Sequence, residues 1–570
     1  MPDDKRPVDG PVVILGAGVN GCCVARELLL NGIPVWLVDK NDLAYGATSK
    51  SSRLIHGGLR YLEYGDFRLV RESLAERSQL RKLAPQFVEP LRLHIPVSRR
   101  WAGLMRSMFR FLGGSRIRWP SWLAARFQNP SERGLWLVRA GLWLYDRFAK
   151  EEDFPEHRVV SVQDPSVPQV DAKNYRWLCS YTDAQMRCPE RFVVSLVEDA
   201  RQLAKDQGIE FRILPYHRAS LDGRQVQIHC LADGHCAGEF EPALIINATG
   251  AWGDLTLEGL EVSSKKLFGG TKGSHFITHS ASLLEAVGKD GLYAEAADGR
   301  LIFVLPFGDA VLVGTTDERF DKTPAEAIAT PKELDYLLSM VNELFPGLGL
   351  TDEDIDLHYS GVRPLPRADS NKTASISRDH FIKASESEGI SILTLVGGKL
   401  TTARSFAELV AERVLHKIGR IYHTRSCNRV VPGGKGYPSG PAEIQREQER
   451  IAEQFGLHET QVRGIWSLCG NRVEEILAAC QPVESENLDR TDLPISYARW
   501  VIEHEWVTSL DDLVERRLML LYHPALSKQC LRQLAELLAQ VDRMVHSEIE
   551  AAVASTIERL ATFYGKSVKE

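Results

Sequence analysis

Residues 16–21 read Gly16-Ala-Gly18-Val-Asn-Gly21 and lie between the apolar run Pro11-Val-Val-Ile-Leu15 and a segment of helical pattern reaching about Leu30. A second apolar run, Val35-Trp-Leu-Val38, follows and stops at Asp39. A strand, glycine turn, helix and second strand closed by a carboxylate make the unit that cradles a dinucleotide. Gly16 permits the tight turn, Gly18 lets backbone touch a pyrophosphate, and Gly21 lets helix and strand pack closely. The helix N-terminus brings amide N–H groups and a partial positive charge to the phosphates. Asp39, with Lys40 beside it, faces the ribose end.

The rest of the chain alternates in the same way. Residues 188–208 carry one apolar helical face, and Glu210 to Ile246 reads as a small meander punctuated by glycines. The buried strand Ala243–Asn247 runs into Ala248-Thr249-Gly250, and Ile390–Val396 runs into Gly397-Gly398-Lys399-Leu400-Thr401-Thr402 and a helix from about Ala403. Strands at Leu301–Pro306 and Ala310–Gly314 suggest a second sheet. Beyond the Pro- and Gly-rich linker 432–441, helix formers dominate, with starts at Ser509 and near Pro524. The expected class is α/β: a Rossmann-like cofactor domain built from 11–95, 151–255 and 356–431, an α+β substrate lobe at 256–355, and an all-helical C-terminal domain at 442–570.

A chain of 570 residues has room for several domains, and a formal net charge of −7 gives no reason to expect nucleic acid. The ten cysteines form no CxxC or paired ligand spacing, so reduced thiols and no metal are expected. The polar N-terminus and the lack of a long apolar run point to the cytoplasm. One segment, 96–150, departs from this acidic background. Between Pro90 and Ser131 there is no Asp, Glu or Lys, while arginines from Arg92 to Arg126 interleave with Trp101, Trp119, Trp122 and several Phe, Met and Leu residues. That mixture suits an element lying in a headgroup layer, or a basic face packed on a neighbouring domain.

The segment 47–61 carries the densest chemistry. Thr48, Ser49, Ser51 and Ser52 offer hydroxyls to a pyrophosphate, and Gly57 and Gly58 let backbone run under a flat ring. His56 and Arg60 bracket the place where that ring would react. Together with Val13–Gly21, Asn247–Trp252, Lys272-Gly-Ser-His275, Val313–Asp317, Tyr359-Ser-Gly-Val-Arg363-Pro-Leu and Gly397–Thr402, this stretch resembles the FAD-dependent, respiratory glycerol-3-phosphate dehydrogenases, within the glycine/D-amino-acid oxidase-like flavoproteins. With a single GxGxxG and cofactor segments scattered over 16–58, 248–250 and 397–402, the residues also favour a threaded FAD over a nicotinamide.

The resemblance implies oxidation of sn-glycerol 3-phosphate to dihydroxyacetone phosphate, hydride passing from C2 to flavin N5 and electrons onward to a membrane quinone. It implies FAD, which we expect to be bound non-covalently, and peripheral attachment to the inner face of the cytoplasmic membrane; a homodimer is compatible with it. Arg363 and Arg60 match the substrate-binding arginines, with Tyr61, Lys272, His275 and Lys399 around the substrate. His56 is the first candidate for the base and His275 the second. Two neighbouring activities stay open: an oxygen-dependent glycerol-3-phosphate oxidase, and an amino-acid or sarcosine-type oxidase. The sequence departs from the family pattern in Asp39, where a glutamate is common, and in the length of 99–130.

Overall fold

The computed structural model describes residues 10–63, 65–100, 134–149, 154–296, 300–367, 379–480 and 483–570, without the side chains of Arg60 and Glu63. The first sheet has six strands in the order Phe381–Ser387, Ile390–Val396, Leu244–Asn247, Val12–Leu15, Val35–Asp39 and Phe211–Pro215. All neighbours run parallel except at the Phe381–Ser387 edge. Strand alternation sets the layers. Val12 and Ile14 pack with helices Val19–Leu30, Pro189–Gln207 and Ala403–Lys417, whereas Val13 and Leu15 pack with Val226 and Ile228 of a three-stranded meander.

The meander is smaller than the sequence suggests. Phe211–Pro215 leaves it and becomes a parallel edge strand, Val35 paired with Phe211. The preceding helix carries the chain back along the sheet and ends on Gly208 at φ 64°, so the next strand re-enters parallel to its neighbour.

Among the described residues ten strands form the second sheet, in which Thr271–Thr278 pairs with Ala310–Gly314, Glu318–Arg319 and Leu357–Arg363. It also draws on Leu54–Ile55, Val88–Val97, Arg158–Ser161 and Trp177–Met186, outside the span 256–355 expected for the substrate lobe. The Leu357–Arg363 strand, grouped by sequence with the cofactor domain, belongs to this sheet as well. Apolar patterning fixes that these segments are strands; only pairing across hundreds of residues decides which sheet takes them.

One face of this sheet, with Phe276, Val304 and Val313, is covered by helices Ala281–Val287 and Pro331–Leu344. The other face, with Ile277, Leu305, Leu312 and Tyr359, shares a core with the C-terminal helices. That region is helical as read, from Pro441–Phe455 to Ile549–Tyr564. Ser509 caps its own short helix, while the start expected near Pro524 falls at Lys528, capped by Ser527.

Of the basic-aromatic segment, residues 101–133 and 150 lie outside the described residues. Helix Leu135–Ala149 is described: Val138, Leu142 and Tyr145 face inward, and Trp136 and Trp143 are exposed at 42% and 59%. Among the described residues, no helix is long and apolar enough to cross a membrane.

Candidate active site

A cavity of about 1240 Å³ runs from the glycine turn of the first sheet to the Thr271–Thr278 and Leu357–Arg363 strands of the second. At its first end Gly16 adopts φ +105°, and a Cβ there would lie 2.6 Å from the Ala248 carbonyl oxygen. Gly21 lies outside the cavity; a Cβ on it would meet the Gly16 oxygen at 1.8 Å, so it serves the helix–strand approach. Asp39 accepts from the Ala17 amide at 2.7 Å and the Asn41 amide at 2.9 Å. Burial nevertheless raises its carboxyl to about 6, with those two amides pulling the other way. Lys40 and Gly18 line the same end.

The hydroxyl loop is wound on itself. Thr48 Oγ1 accepts from the Val19 amide at 3.1 Å and so serves the start of the glycine-turn helix. Ser51 Oγ donates to the Thr48 carbonyl, and Ser52 Oγ meets His275 Nε2 at 2.8 Å. Thr48, Ser51 and Ser52 line the cavity. Ser49 does not: it is buried, its hydroxyl on the Tyr45 and Gly46 carbonyls. Gly57 also turns away, its amide donating to Tyr145 Oη at 2.9 Å, and a Cβ there would strike Leu74. Gly58 at φ +73° faces the cavity under the Tyr61 ring, which a Cβ would meet at 2.1 Å.

The Gly397–Thr402 turn closes the opposite wall. Gly398, Lys399, Leu400 and Thr401 line the cavity, while Thr402 is buried behind it. Thr401 Oγ1 accepts from the His56 amide at 3.3 Å, tying the two turns together. Lys399 places its ammonium 4.0 Å from the centre of the Tyr61 ring and has no hydrogen-bond acceptor among the described residues. Thr249 and Gly250 line the cavity too, with the Thr249 hydroxyl on Asn247 Oδ1.

Strand alternation divides the Lys272-Gly-Ser-His275 stretch. Gly273 and His275 face the cavity. Lys272 points the other way, its ammonium on Glu333 Oε2 at 2.7 Å and the Ile328 carbonyl at 2.8 Å. The expected substrate contact of Lys272 is thereby replaced by a buried ion pair. Glu333 also accepts from Ser274 and Thr316, so this face locks three segments together.

His275 is 2% exposed and stacks on Tyr359 at 4.9 Å. Burial, with Arg363 and Arg53 nearby, pushes its imidazole down to about 3. It is therefore neutral at physiological pH and a weak proton acceptor, which argues against its role as second candidate base. His56 lines the cavity, edge-on to Phe303 at 6.4 Å.

Arg363 reaches the cavity with its guanidinium pre-set by Thr315 Oγ1 at 3.0 Å, the Thr316 carbonyl at 3.1 Å, Asp317 Oδ1 at 3.2 Å and Thr271 Oγ1 at 3.4 Å. Arg60 lies in the short helix Leu59–Glu63, but its side chain is outside the described residues. Sequence reasoning passed over Asn20, Lys50, Arg53 and Asp317, all lining the cavity. Asn20 stands inside the glycine motif and Asp317 inside Val313–Asp317, so both were within reach of the motifs.

The residues present fit a large dinucleotide. The glycines leave room for backbone approach, Asn20 Oδ1 and Lys399 Nζ are buried without hydrogen-bond partners among the described residues, and the cavity joins both ends. Comparison with known proteins agrees. Residues 11–413 match the family model described as FAD dependent oxidoreductase. A glycerol-3-phosphate dehydrogenase of Synechocystis sp. is 32% identical, over 82% of this chain and 80% of that protein. A D-erythritol 1-phosphate dehydrogenase of Brucella abortus is 28% identical, over 90% of this chain and 94% of that protein. In fold, the chain is similar to a Bacillus halodurans glycerol-3-phosphate dehydrogenase solved with FAD, at TM-score 0.71 and 20% identity, covering 97% of this chain and 94% of that one.

Proposed function

The chain belongs to the FAD dependent oxidoreductase family, and on that footing we propose that it oxidises sn-glycerol 3-phosphate to dihydroxyacetone phosphate and hands the electrons to a membrane quinone. The observation that carries this reading is the meeting, in one cavity, of a dinucleotide cradle with a fixed guanidinium, an ammonium and an imidazole. Gly16, Gly18, Asp39, Thr48 and the Gly398–Thr401 turn would hold FAD, which we expect to be bound without a covalent bond and which would supply a hydride-accepting ring.

Arg363 binds and orients substrate oxygen, and its charge, always present, favours the negative charge that grows on the C2 oxygen as the hydroxyl proton is removed, ahead of hydride departure. Lys399 adds a second cation to the cavity wall, suited to a phosphate. His56 takes the proton of the C2 hydroxyl. His275, kept neutral, holds Ser52 in place rather than moving a proton itself. Asp317 keeps Arg363 from swinging and offsets part of its charge before substrate arrives.

We assign quinone access and peripheral membrane attachment to the side of the molecule carrying helix Leu135–Ala149. Its outward row of Trp136, Arg139, Trp143 and Arg147 pairs indole rings with cations, as suits a headgroup layer.

An anaerobic titration followed by flavin absorbance tests the reading. sn-Glycerol 3-phosphate is expected to bleach the flavin stoichiometrically, with D-erythritol 1-phosphate less effective and sarcosine inert. A quinone analogue is then expected to restore the colour faster than dioxygen. A flavin left yellow by glycerol 3-phosphate rejects the substrate, and rapid peroxide formation rejects the quinone.

A further inference from the structure

The loop 42–53 connects the ribose end of the cavity to its reactive end and carries Thr48, Ser51 and Ser52. Its two ends are held in unfavourable backbone geometry: Ala44 at φ 60° and Arg53 at φ 57°. Non-glycine residues adopt the left-handed region at a cost and persist there only where surrounding contacts over-determine them. Many of those contacts come from the C-terminal domain. Asp42, fully buried, accepts from Arg516 Nε at 2.6 Å and from Arg517 Nη1 and Nη2 at 2.8 and 2.6 Å. Arg53, also fully buried, bonds Glu190 Oε1 at 2.6 Å and Tyr522 Oη.

Between these anchors, Lys50 lines the cofactor cavity and sends its ammonium backwards to Tyr564 Oη, with the Tyr564 ring centre 3.8 Å away. Tyr564 is buried and donates to Glu515 Oε2 at 2.6 Å. Glu515 in turn accepts from Arg516 and Arg559. A second cavity of about 40 Å³ behind the loop is lined by Lys50, Arg559 and Tyr564, so Lys50 bridges the cofactor side and the domain side.

We infer that the C-terminal helical domain is part of the cofactor site: through Tyr564 and Glu515 it holds Lys50, and through Lys50 it positions the hydroxyl loop that lines the dinucleotide cavity. Lys50, Tyr564 and Glu515 are thus positioning residues for FAD. Of the proposed function the inference uses only the binding of FAD, and it is independent of which substrate is oxidised.

The test is FAD release from the full-length holoenzyme, followed by the rise of flavin fluorescence, together with reconstitution of the apoprotein by added FAD. Tyr564→Phe removes one oxygen and keeps the ring; it is expected to speed release about tenfold, the effect of a hydrogen bond to a charged group. Lys50→Met is expected to do the same, whereas Lys50→Arg, which keeps a donor to Tyr564, keeps most of the affinity. Because the two residues act as one unit, the double variant should release FAD no faster than either single. Thr556 lies on the same helix as Tyr564, and Thr556→Val, which cuts its bond to Asp511, should lower the melting temperature without touching FAD release. Unchanged FAD release in both singles despite lower melting temperatures would overturn the inference, as would effects that multiply in the double variant.

Discussion

Removing the Arg363 guanidinium changes two charges at the site. Its four acceptors, at 3.0 to 3.4 Å, fix the group so that no reorganisation is needed when substrate binds. Arg363→Ala therefore loses a charge-assisted contact of about 2–3 kcal/mol to substrate oxygen. It also takes the Arg363 cation away from Asp317, which lines the same cavity as an anionic substrate; one pair of like charges ~8 Å apart at an effective dielectric near 20 costs about 2 kcal/mol. The sum is roughly 4–5 kcal/mol, or three orders of magnitude in kcat/KM. Adding Asp317→Asn should recover about tenfold or more of that loss. The assay is anaerobic stopped-flow bleaching over a range of glycerol 3-phosphate concentrations, with FAD content checked by absorbance. A loss below tenfold in the single variant, or a double variant no faster than the single, would refute the reasoning.

Three further outcomes are expected. Lys272→Met leaves Glu333 charged and buried without its cation, so it should cost about 3–5 kcal/mol of stability while leaving KM unchanged; a raised KM at unchanged melting temperature would return Lys272 to the substrate. Gly58→Ala adds strain at φ +73° and pushes the Tyr61 ring from Lys399, so substrate-driven bleaching should fall at least tenfold; unchanged bleaching would show that the wall tolerates the shift. His275 stays neutral in the fold down to about pH 3, whereas the unfolded chain takes up its proton near 6.5. Its contribution is thus lost as pH falls, by about 2 kcal/mol between pH 6.5 and 5. The denaturation midpoint of His275→Gln should drop less over that interval than that of the parent chain, and equal drops would show that His275 is protonated in the fold.

The glycine turn was legible because its signal is local: strand, turn, helix and carboxylate fall within 28 residues, Val12 to Asp39. The hydroxyl loop was legible as a place but not as a set of contacts. Thr48, Ser49 and Ser51 spend hydroxyl bonds on nearby backbone, the habit of short polar side chains in turns, and composition alone does not separate that use from ligand binding. The split between Lys272 and His275 was within reach, since residues three apart on a strand face opposite ways. What no local pattern encodes is the pairing of Asp42 with Arg516 and Arg517, 474 and 475 positions away.

That distance bears on how the site keeps its shape. Glu333 gathers Lys272, Ser274 and Thr316 on the face of the second sheet opposite the cavity, and Asp42 gathers two arginines behind the loop. Neither carboxylate lines the cavity. Each is nonetheless a buried charge whose partners are fully engaged, which makes alternative arrangements costly. His275 shares a strand with Lys272 and Ser274 of the first hub, Arg363 shares one with Ser360, which bonds Ser274, and Ser52 lies in the loop tied to the second; Ser52 and His275 meet at 2.8 Å. The geometry at the reactive end is thus the intersection of two constraints from opposite sides, so a change in either hub should reach the chemistry by displacing that pair rather than by altering any group that touches substrate.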